Sequence, residues 1–278
     1  MINAPLIKKN YILILCFIVI SVPSFAKETL YTLGPDKRND ATHAFFFDLL
    51  TQLVGDEFAI EIRPHQTQNR SIGLLATEGY YDVIWTAESA ERDARMLKID
   101  FPLFRGGLGV RGSIIRKSFE PQFIAIKNLD NFKHVRICQG YNWPDADILE
   151  YSGLKVYRAV NFKSMLDMVI RERCDAIPLS IFEGHGEMEV ASREFDDLMF
   201  TATTLLIYPQ SYHFYVRKDN ERLASLLEER LTLFEQAGEY DFFLSTHPLS
   251  RDAFPLNQYE NSTKIVLKPG NKFLQENE

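Results

Sequence analysis

The sequence contains few of the residue patterns that catalytic and metal sites require. Its three cysteines include no C-x-x-C pair, and its six histidines show neither an H-E-x-x-H pattern nor a close metal-binding spacing. A P-loop and the G-x-S-x-G turn of serine hydrolases are also missing. The nearest approach to a reactive cluster is His185 between Glu183 and Glu187, which an exposed helix face explains with less effort. No catalytic pattern stands out, so we expect no enzyme and no metal or cofactor.

The chain also lacks an excess of positive charge. Its 31 lysines and arginines are outnumbered by 38 aspartates and glutamates, which gives a net charge of −7. A net acidic chain is a poor candidate for nucleic-acid binding, which requires a basic surface. Hydrophobic residues make up 46% and charged residues 25% of the sequence, a composition typical of globular proteins with a substantial core.

Long apolar runs are confined to the N-terminus. Lys8 and Lys9 precede the almost unbroken apolar run Tyr11–Val22, and the segment Ser24–Ala26 then places small residues at the two positions that signal peptidase reads. The run is shorter than the ~20 residues that span a bilayer. We therefore interpret residues 1–26 as a cleaved signal peptide, with an uncleaved N-terminal anchor as the alternative.

Cleavage at that point defines the expected mature protein. It removes two lysines and no acidic residue, which takes the net charge from −7 to −9. Cys16 lies inside the apolar run and not at its end, so it does not have the position of a lipidated cysteine. We expect export to the periplasm, no membrane insertion after cleavage, and a monomer.

Strand-like and helix-like segments alternate along the rest of the chain. Within Glu28–Arg116 they follow the order βαβαβ, with a helical pattern over Ala41–Val54. A second unit of the same kind occupies His134–Glu194, where Asn161 is placed to cap an amphipathic helix. This alternation predicts an α/β fold of two lobes, each a mostly parallel sheet with covering helices.

The order of the units predicts how the chain is divided. A last strand-like run, Tyr212–Arg217, and a long helical stretch follow the second unit, which implies that the chain returns to the first lobe. Extended segments near residues 107–116 and 212–217 would then be the two crossings between the lobes. We expect lobe 1 at 27–112 and 216–250, lobe 2 at 113–215, and a polar C-terminal tail at 251–278 with one short strand at Lys264–Lys268.

Two cysteines remain in the mature chain, and the periplasm would permit a disulfide between them. Cys138 ends its predicted strand, whereas Cys174 begins another. If these strands are parallel neighbours, an offset of about three residues separates the cysteines by ~10 Å at the rise of a strand. A disulfide requires Cα atoms within ~7 Å, so we expect two free thiols.

Three groups of residues carry a resemblance to a known family. In chain order they are Asp82–Thr86 (DVIWT) with Glu91-Arg92 and Asp100–Pro102, then Val135–Gly140, then Tyr215–Lys218 with Leu223 and Gly238–Tyr240. Together they resemble the family-3 extracellular solute-binding proteins, which include receptors for polar amino acids, over about residues 28–247. The resemblance implies the two-lobed type 2 periplasmic binding fold, with a ligand cleft between the lobes.

Three shorter motifs resemble one branch of this family, found in marine Gram-negative bacteria. They are Trp143-Pro144-Asp145, Tyr208-Pro209 and the Gln-x-Arg stretch Gln68-Asn69-Arg70. Together with the family motifs they specify the fold better than the ligand, because one fold hosts many functions.

The resemblance implies that an arginine of the first lobe binds the ligand carboxylate, because a guanidinium fork matches a carboxylate bidentately. Arg92 matches the Glu-Arg motif, and Arg95 matches the distance back from the Asp-Phe pair, so both are candidates, with Arg92 favoured slightly. Thr86 and Ser89 are placed to complete the anion site, or simply to cap the following helix. Either arginine is as readily explained as a solvated surface residue.

In the second lobe, the candidates lie at a helix N-terminus, where unpaired N–H groups and the helix dipole favour an anion. Tyr141 or Asn142 occupies the place of the family's ligand-binding threonine. Trp143 is placed to stack on an apolar or cationic part of the ligand, or to belong to an inter-lobe core.

The sequence departs from the family where the ligand's ammonium group is usually bound. The family has an acidic residue directly after the strand, and Ser180 stands at that position here. Glu183 lies one turn further and could replace it, although Glu183 and Glu187 could equally form a solvated helix face. Arg70 and Arg105 are candidates for contacts with the ligand or between the lobes.

These patterns predict a periplasmic protein that captures a small polar, carboxylate-bearing, amino-acid-like molecule for an ABC-type importer. One alternative is an accessory protein that senses a solute for a membrane kinase or cyclase. Another is a protein whose cleft is blocked by its own aromatic residues, which form 13% of the sequence. Since some proteins with this fold became dehydratases, an enzyme is the least favoured alternative.

Overall fold

The computed structural model describes residues 27–34, 41–64 and 67–268, and these residues form the two α/β lobes that the sequence predicts. The predicted signal peptide, residues 1–26, lies outside the described residues, as does the end of the predicted tail. Within the described part of the chain, we find no helix that is long and apolar enough to cross a membrane.

The first lobe is built on a mixed sheet. Its strands are, in spatial order, β2 (Phe58–Arg63), β1 (Glu28–Leu33), β3 (Val83–Ala87), β10 (Tyr212–Val216) and β4 (Leu97–Lys98). Strands β1, β2 and β3 are parallel, and β10 is antiparallel to both β3 and β4.

The second lobe is built on a larger mixed sheet. Its strands are, in spatial order, β11 (Thr263–Val266), β9 (Leu198–Ile207), β5 (Val110–Arg116), β8 (Ala176–Ser180), β6 (Arg136–Gly140) and β7 (Lys155–Ala159). Strands β6, β7 and β8 are parallel, whereas β5 runs antiparallel to β8 and β9.

Helices cover both sheets. They are α1 (Ala41–Val54), α2 (Gln68–Gly73), α3 (Ala90–Arg95), α4 (Glu120–Ile124), α5 (Leu129–Phe132), α6 (Pro144–Tyr151), α7 (Phe162–Ile170), α8 (Ile181–Ala191), α9 (Glu221–Gln236) and α10 (Glu239–Thr246). The predicted amphipathic helix α1 buries Phe45, Phe46, Leu49, Leu50 and Leu53, the apolar residues that recur at helical spacing. Helix α7 begins where predicted, since the Asn161 side chain accepts a hydrogen bond from the backbone N–H of Ser164 at 2.8 Å.

The crossings between the sheets differ from those that the sequence predicts. Strands β5 and β10 were expected to be crossings, but each pairs along its length inside a sheet. The chain passes between the sheets through the 3-10 turn Phe104–Gly109 and through residues 208–211. The predicted boundary therefore misplaces 212–215, because β10 pairs with β3 in the first lobe and not with the strands of the second.

The predicted polar tail is also an integral part of the fold. Its residues Ala253 and Tyr259 are buried in the core of the first lobe, as is Leu249 just before it. Strand β11, close to the short strand predicted there, then pairs in parallel with β9 of the second lobe. Residues 247–262 therefore form a third crossing between the lobes, and apolar burial holds this segment in place.

The expectation of two free thiols is wrong, because Cys138 and Cys174 form a disulfide with a Cα–Cα distance of 5.7 Å. Ile137 is the partner of Ala176 in the parallel pair β6–β8, so the offset between the strands is as expected. Cys174, however, lies in a turn before β8, where its backbone N–H donates to the Met168 carbonyl at 3.3 Å. Cys174 therefore lies outside the strand, and the offset along β8 does not set the distance between the cysteines.

We expect the disulfide to stabilise the mature protein measurably. It joins two residues with a sequence separation of 36. Closing a loop of that size lowers the entropy of the unfolded chain, which stabilises the folded state by about 2–4 kcal/mol. The double variant Cys138→Ala/Cys174→Ala should lose that much free energy of unfolding in urea titrations. Thiol titration of the denatured, unreduced chain without residues 1–26 should find no free thiol, and Cys138→Ala alone should expose one. Two free thiols in the unsubstituted chain would contradict the pairing.

Candidate functional site

A cavity of about 560 Å³ lies between the two lobes. The first lobe contributes side chains from α1, α2 and the end of β3, and the second contributes the β6–α6 loop, α7 and α8. Leu33, Thr86, Gly140 and Leu179 lie at or near the carboxyl ends of parallel strands β1, β3, β6 and β8. In α/β sheets, this is the edge where ligands bind.

Aromatic side chains form much of the cavity wall. Trp85 of the first lobe stacks on Phe46, with ring centroids 5.2 Å apart, and His43 meets its edge at 5.4 Å. Trp143 lines the opposite wall and packs on the core of the second lobe. A side chain at Gly140 would come within 2.5 Å of the Trp143 ring, so this close approach requires glycine.

Several predicted site residues meet in this cavity. Thr86, Tyr141, Asn142, Trp143 and Glu183 all line it. Five others lie elsewhere among the described residues, namely Arg70, Arg92, Arg95, Ser89 and Ser180. Strand ends and helix faces from both lobes form the cavity wall. Which predicted residues reach it therefore depends on tertiary packing, which the local sequence does not specify.

Arg92 lies directly behind the cavity wall, and its side chain is buried. Its guanidinium donates to the carbonyl of Ala87, to Gln68 Oε1 at 2.8 Å and to the carbonyl of Asn142 at 3.1 Å. Burial lowers the pKa of Arg92, and the nearby Tyr215, Tyr212 and Asp145 oppose that effect. Since Gln68 and Asn142 both line the cavity, Arg92 holds one wall residue from each lobe.

Arg95 and Arg70 are exposed instead. Arg95 pairs with Glu91 at 3.4 Å along α3, and Arg70 lies on the exposed side of α2. Arg105 pairs with Glu235 at 2.8 Å on the first lobe and does not line the cavity.

The two predicted serines act as helix caps. The Ser89 Oγ accepts from the backbone N–H of Arg92 at 3.4 Å, and the Ser180 Oγ accepts from that of Phe182 at 3.2 Å. The capping alternative for Ser89 is thus confirmed, whereas Thr86 lies in β3 and lines the cavity.

Glu183 and Glu187 are buried, so the interpretation as a solvated helix face is wrong. Their exposed fractions are 4% and 8%. Oε1 of Glu187 accepts hydrogen bonds from the backbone N–H of Thr42 at 2.8 Å and from its hydroxyl at 2.6 Å. Because Thr42 belongs to α1, this contact joins the two lobes beside the cavity.

Glu183 belongs to a buried ionic network that the sequence did not reveal. Arg111 of β5 donates to Glu183 at 3.2 Å and also to Asp145 of α6. The Tyr208 hydroxyl donates to Asp145 at 2.7 Å. The motifs Trp-Pro-Asp and Tyr-Pro therefore meet through Asp145 and Tyr208. The occurrence of both motifs in one branch of the family is the signal that could have predicted this contact.

Burial raises the pKa of Glu183 to about 7, the positive charge of Arg111 lowers it in part, and the negative charge of Asp145 raises it again. Burial also raises the pKa of Tyr208 and Tyr212.

Across the residues that the structure describes, no group of acidic, histidine or cysteine side chains has the arrangement of a metal site.

Glu183 should make the stability of the protein depend on pH. Its pKa in the folded state is about 7 against an ordinary 4.5, so between these values the folded state keeps a proton that the unfolded chain has lost. The free energy of unfolding should therefore fall as pH rises through this window, by about 3 kcal/mol at most. Glu183→Gln should remove this part of the pH dependence in urea titrations from about pH 5 to about pH 8.

Glu189→Gln is the matched control, because Glu189 lies on the same helix but is exposed and pairs with Arg251 at 3.3 Å. Its stability should follow that of the unsubstituted protein at every pH. A constant difference between Glu183→Gln and the unsubstituted protein across the range would show that Glu183 titrates normally.

The described architecture is similar to solved structures of low sequence identity. An ancestral arginine-binding protein bound to arginine is 18% identical, with a TM-score of 0.59 over 80% of this chain and 98% of the other. The substrate-binding protein of an amino acid ABC transporter is 15% identical, with a TM-score of 0.55 over 80% and 99%. A histidine kinase sensor domain with similarity to periplasmic binding proteins is 15% identical, with a TM-score of 0.59 over 80% and 96%.

Neither a protein-family model nor a curated protein sequence matches the chain. At the identities of the solved structures, the likeness concerns the fold alone. The chain therefore has the two-lobed type 2 fold of periplasmic binding proteins, as its sequence motifs imply.

Proposed function

We propose that this protein is a periplasmic solute-binding protein that captures a small polar, amino-acid-like molecule between its lobes and delivers it to an ABC-type importer. The observation that carries the proposal is the cavity of about 560 Å³ lined from both lobes at the carboxyl ends of their strands. A volume of this size suits a small organic molecule. The solved binding proteins of the same fold support a binding role over a catalytic one.

Contacts between the lobes support a mechanism of closure around the ligand. Arg92 binds the carbonyl of Asn142, and Glu187 binds Thr42, so both walls of the cavity are joined at its margins. A ligand that contacts both walls stabilises the closed form over the open one and shifts the population toward it. The membrane partner would then recognise the closed arrangement.

The ligand carboxylate is assigned to the Arg92 side of the cavity. Arg92 is buried behind the wall, and its hydrogen-bond partners are neutral oxygens of Ala87, Gln68 and Asn142. A carboxylate that enters beside Gln68 and Asn142 would replace one of these neutral acceptors with a charged one, which forms the stronger hydrogen bond. Arg95 lies outside the wall and is exposed.

A sensory role is the second candidate. The similarity to a histidine kinase sensor domain favours it, since the same closure can be read by a sensor as well as by a permease. Export to the periplasm, which we expect from the predicted signal peptide, fits either role. Dependence of solute uptake on this protein in cells would separate the importer from the sensor.

A thermal-shift screen of the mature chain tests the proposal. The panel comprises amino acids, small carboxylates, amines and short peptides. A ligand at a hundredfold excess over its dissociation constant stabilises the folded state by ~2.7 kcal/mol. For a chain of this size, the midpoint should rise by roughly 5–10 °C. Absence of any shift across the panel would refute the proposal.

Arginine variants then test the anchor. Arg92→Lys keeps the charge but loses the fork, so it should weaken binding of a carboxylate ligand by tenfold or more, about 1.4 kcal/mol. Arg95→Lys, three residues away and exposed, is the matched control and should bind normally. Calorimetric titration measures both, and the melting midpoints without ligand show whether Arg92→Lys remains folded. Equal affinities in the two variants would exclude Arg92 as the anchor.

A further inference from the structure

Helix α8 belongs to the second lobe but packs into the first. It follows β8 of the second sheet, yet Ile181 and Phe182 at its start are buried in the same core as the apolar face of α1. The Phe182 ring stacks on Phe104 of the first crossing, with centroids 5.5 Å apart. At the cavity, Glu187 accepts hydrogen bonds from Thr42 of α1. Contacts between the lobes therefore extend over more than one turn of this helix.

The third crossing, residues 247–262, adds contacts along the same helix. The centroid of the Phe254 ring lies 5.9 Å from that of Phe182. One turn further along α8, a side chain at Gly186 would come within 2.6 Å of the Leu249 Cα, so the backbone of the crossing touches the helix there. Helix α8 therefore packs on both α1 and the third crossing.

The third crossing is fixed at both of its ends. On the first lobe, the rings of His247 and Phe45 of α1 meet edge to face, with centroids 4.9 Å apart. On the second lobe, strand β11, which follows the crossing, pairs with β9 and buries Ile265 in the core. Ala253 and Tyr259, between these ends, are buried as well. The crossing therefore cannot lengthen without giving up buried contacts.

The other two crossings lie side by side and form a hinge. Gly109 donates its backbone N–H to the Gln210 carbonyl at 3.2 Å, and Tyr208 donates to the Gly109 carbonyl at 3.1 Å. Two adjacent segments permit the lobes to rotate about them. Rotation would separate α8 from α1 and from the part of the third crossing that is anchored in the first lobe, which exposes apolar surface to water. An empty cleft supplies no contact that offsets this loss.

We infer that the third crossing is a brace that holds α8 against the first lobe and keeps the cleft in its closed arrangement when no ligand is bound. The inference goes beyond the proposed function, because it concerns the unliganded protein and does not depend on which solute binds. The closed form is then the main population before a ligand enters, and a ligand that contacts both walls increases it further. A cavity formed in advance also lowers the conformational cost of binding.

Double electron–electron resonance between spin labels on the two lobes tests the brace in the unliganded mature chain. Ala59 of β2 and Lys155 of β7 are exposed, and their strands form the sheet edges remote from the hinge, so rotation of the lobes moves them most. In the double variant Ala59→Cys/Lys155→Cys, the labels attach only to the introduced cysteines, because Cys138 and Cys174 are joined. We expect one narrow distance distribution, centred on the separation that the closed structure has.

Two further substitutions in the labelled protein should loosen the brace. Gly186→Leu places a side chain where the Leu249 backbone lies, so the third crossing must shift away from α8. Phe254→Ala removes the ring that packs on Phe182 and introduces no obstruction. In both variants the distance distribution should broaden and extend to longer distances, because opening then exposes less apolar surface that was buried.

Glu189→Ala is the matched control on the same helix. Glu189 pairs with Arg251 of the third crossing at 3.3 Å, but both side chains are exposed, and an exposed ion pair contributes little stability. Its distance distribution should remain as narrow as that of the labelled protein without this substitution. The melting midpoint of each variant shows whether it is folded, and Phe254→Ala decides the test if Gly186→Leu does not fold.

The outcomes separate the inference from the proposed function. A broad or two-component distribution in the labelled protein without further substitution would overturn the inference. A narrow distribution that is unchanged in folded Gly186→Leu and Phe254→Ala would overturn it as well, since the closed arrangement would not depend on the third crossing. Neither result bears on whether a solute binds, which the thermal-shift panel decides. A panel without any shift would refute the proposed function and leave the brace in place.

Discussion

The buried ionic network around Arg111 is the constraint on which the geometry of the cleft depends. Arg111 lies in β5, just after the first crossing, and pairs with Asp145 at the start of α6 and Glu183 at the start of α8. The buried Arg111 guanidinium must keep an anionic partner, because removal of the partner of a buried charge costs about 3–5 kcal/mol. The network thereby fixes the N-terminal ends of α6 and α8, and with them the wall residues Trp143 and Glu187.

Helix α8 connects the cleft to the crossings. The Phe182 ring stacks on Phe104 in the first crossing, with centroids 5.5 Å apart and planes within 6°. A side chain at Gly107 would come within 2.7 Å of the Phe182 ring, and Gly106 has a positive φ of 70° that favours glycine. Helix α8 therefore contacts both the cavity and the crossing Phe104–Gly109. The third crossing, residues 247–262, packs on the same helix.

Arg92 and the two glutamates lie at different walls of the cavity. Arg92 approaches one wall behind Gln68 and Asn142, whereas Glu183 and Glu187 belong to the α8 wall. Trp85 and Trp143 line the same cavity from opposite lobes, so its wall combines polar and aromatic side chains from both.

Local sequence determined the elements of this protein, and tertiary packing decided how they combine. The spacing of Phe45, Phe46 and Leu49 defined α1, Asn161 defined the start of α7, and the alternation of strands and helices predicted two α/β lobes, because these signals act within a few residues. The disulfide, the sheet to which β10 belongs, the packing of residues 247–262 and the burial of Glu183 were decided only in three dimensions. Each depends on partners far apart in the chain, such as Arg111 with Glu183 or Asp145 with Tyr208, which no local pattern brings together.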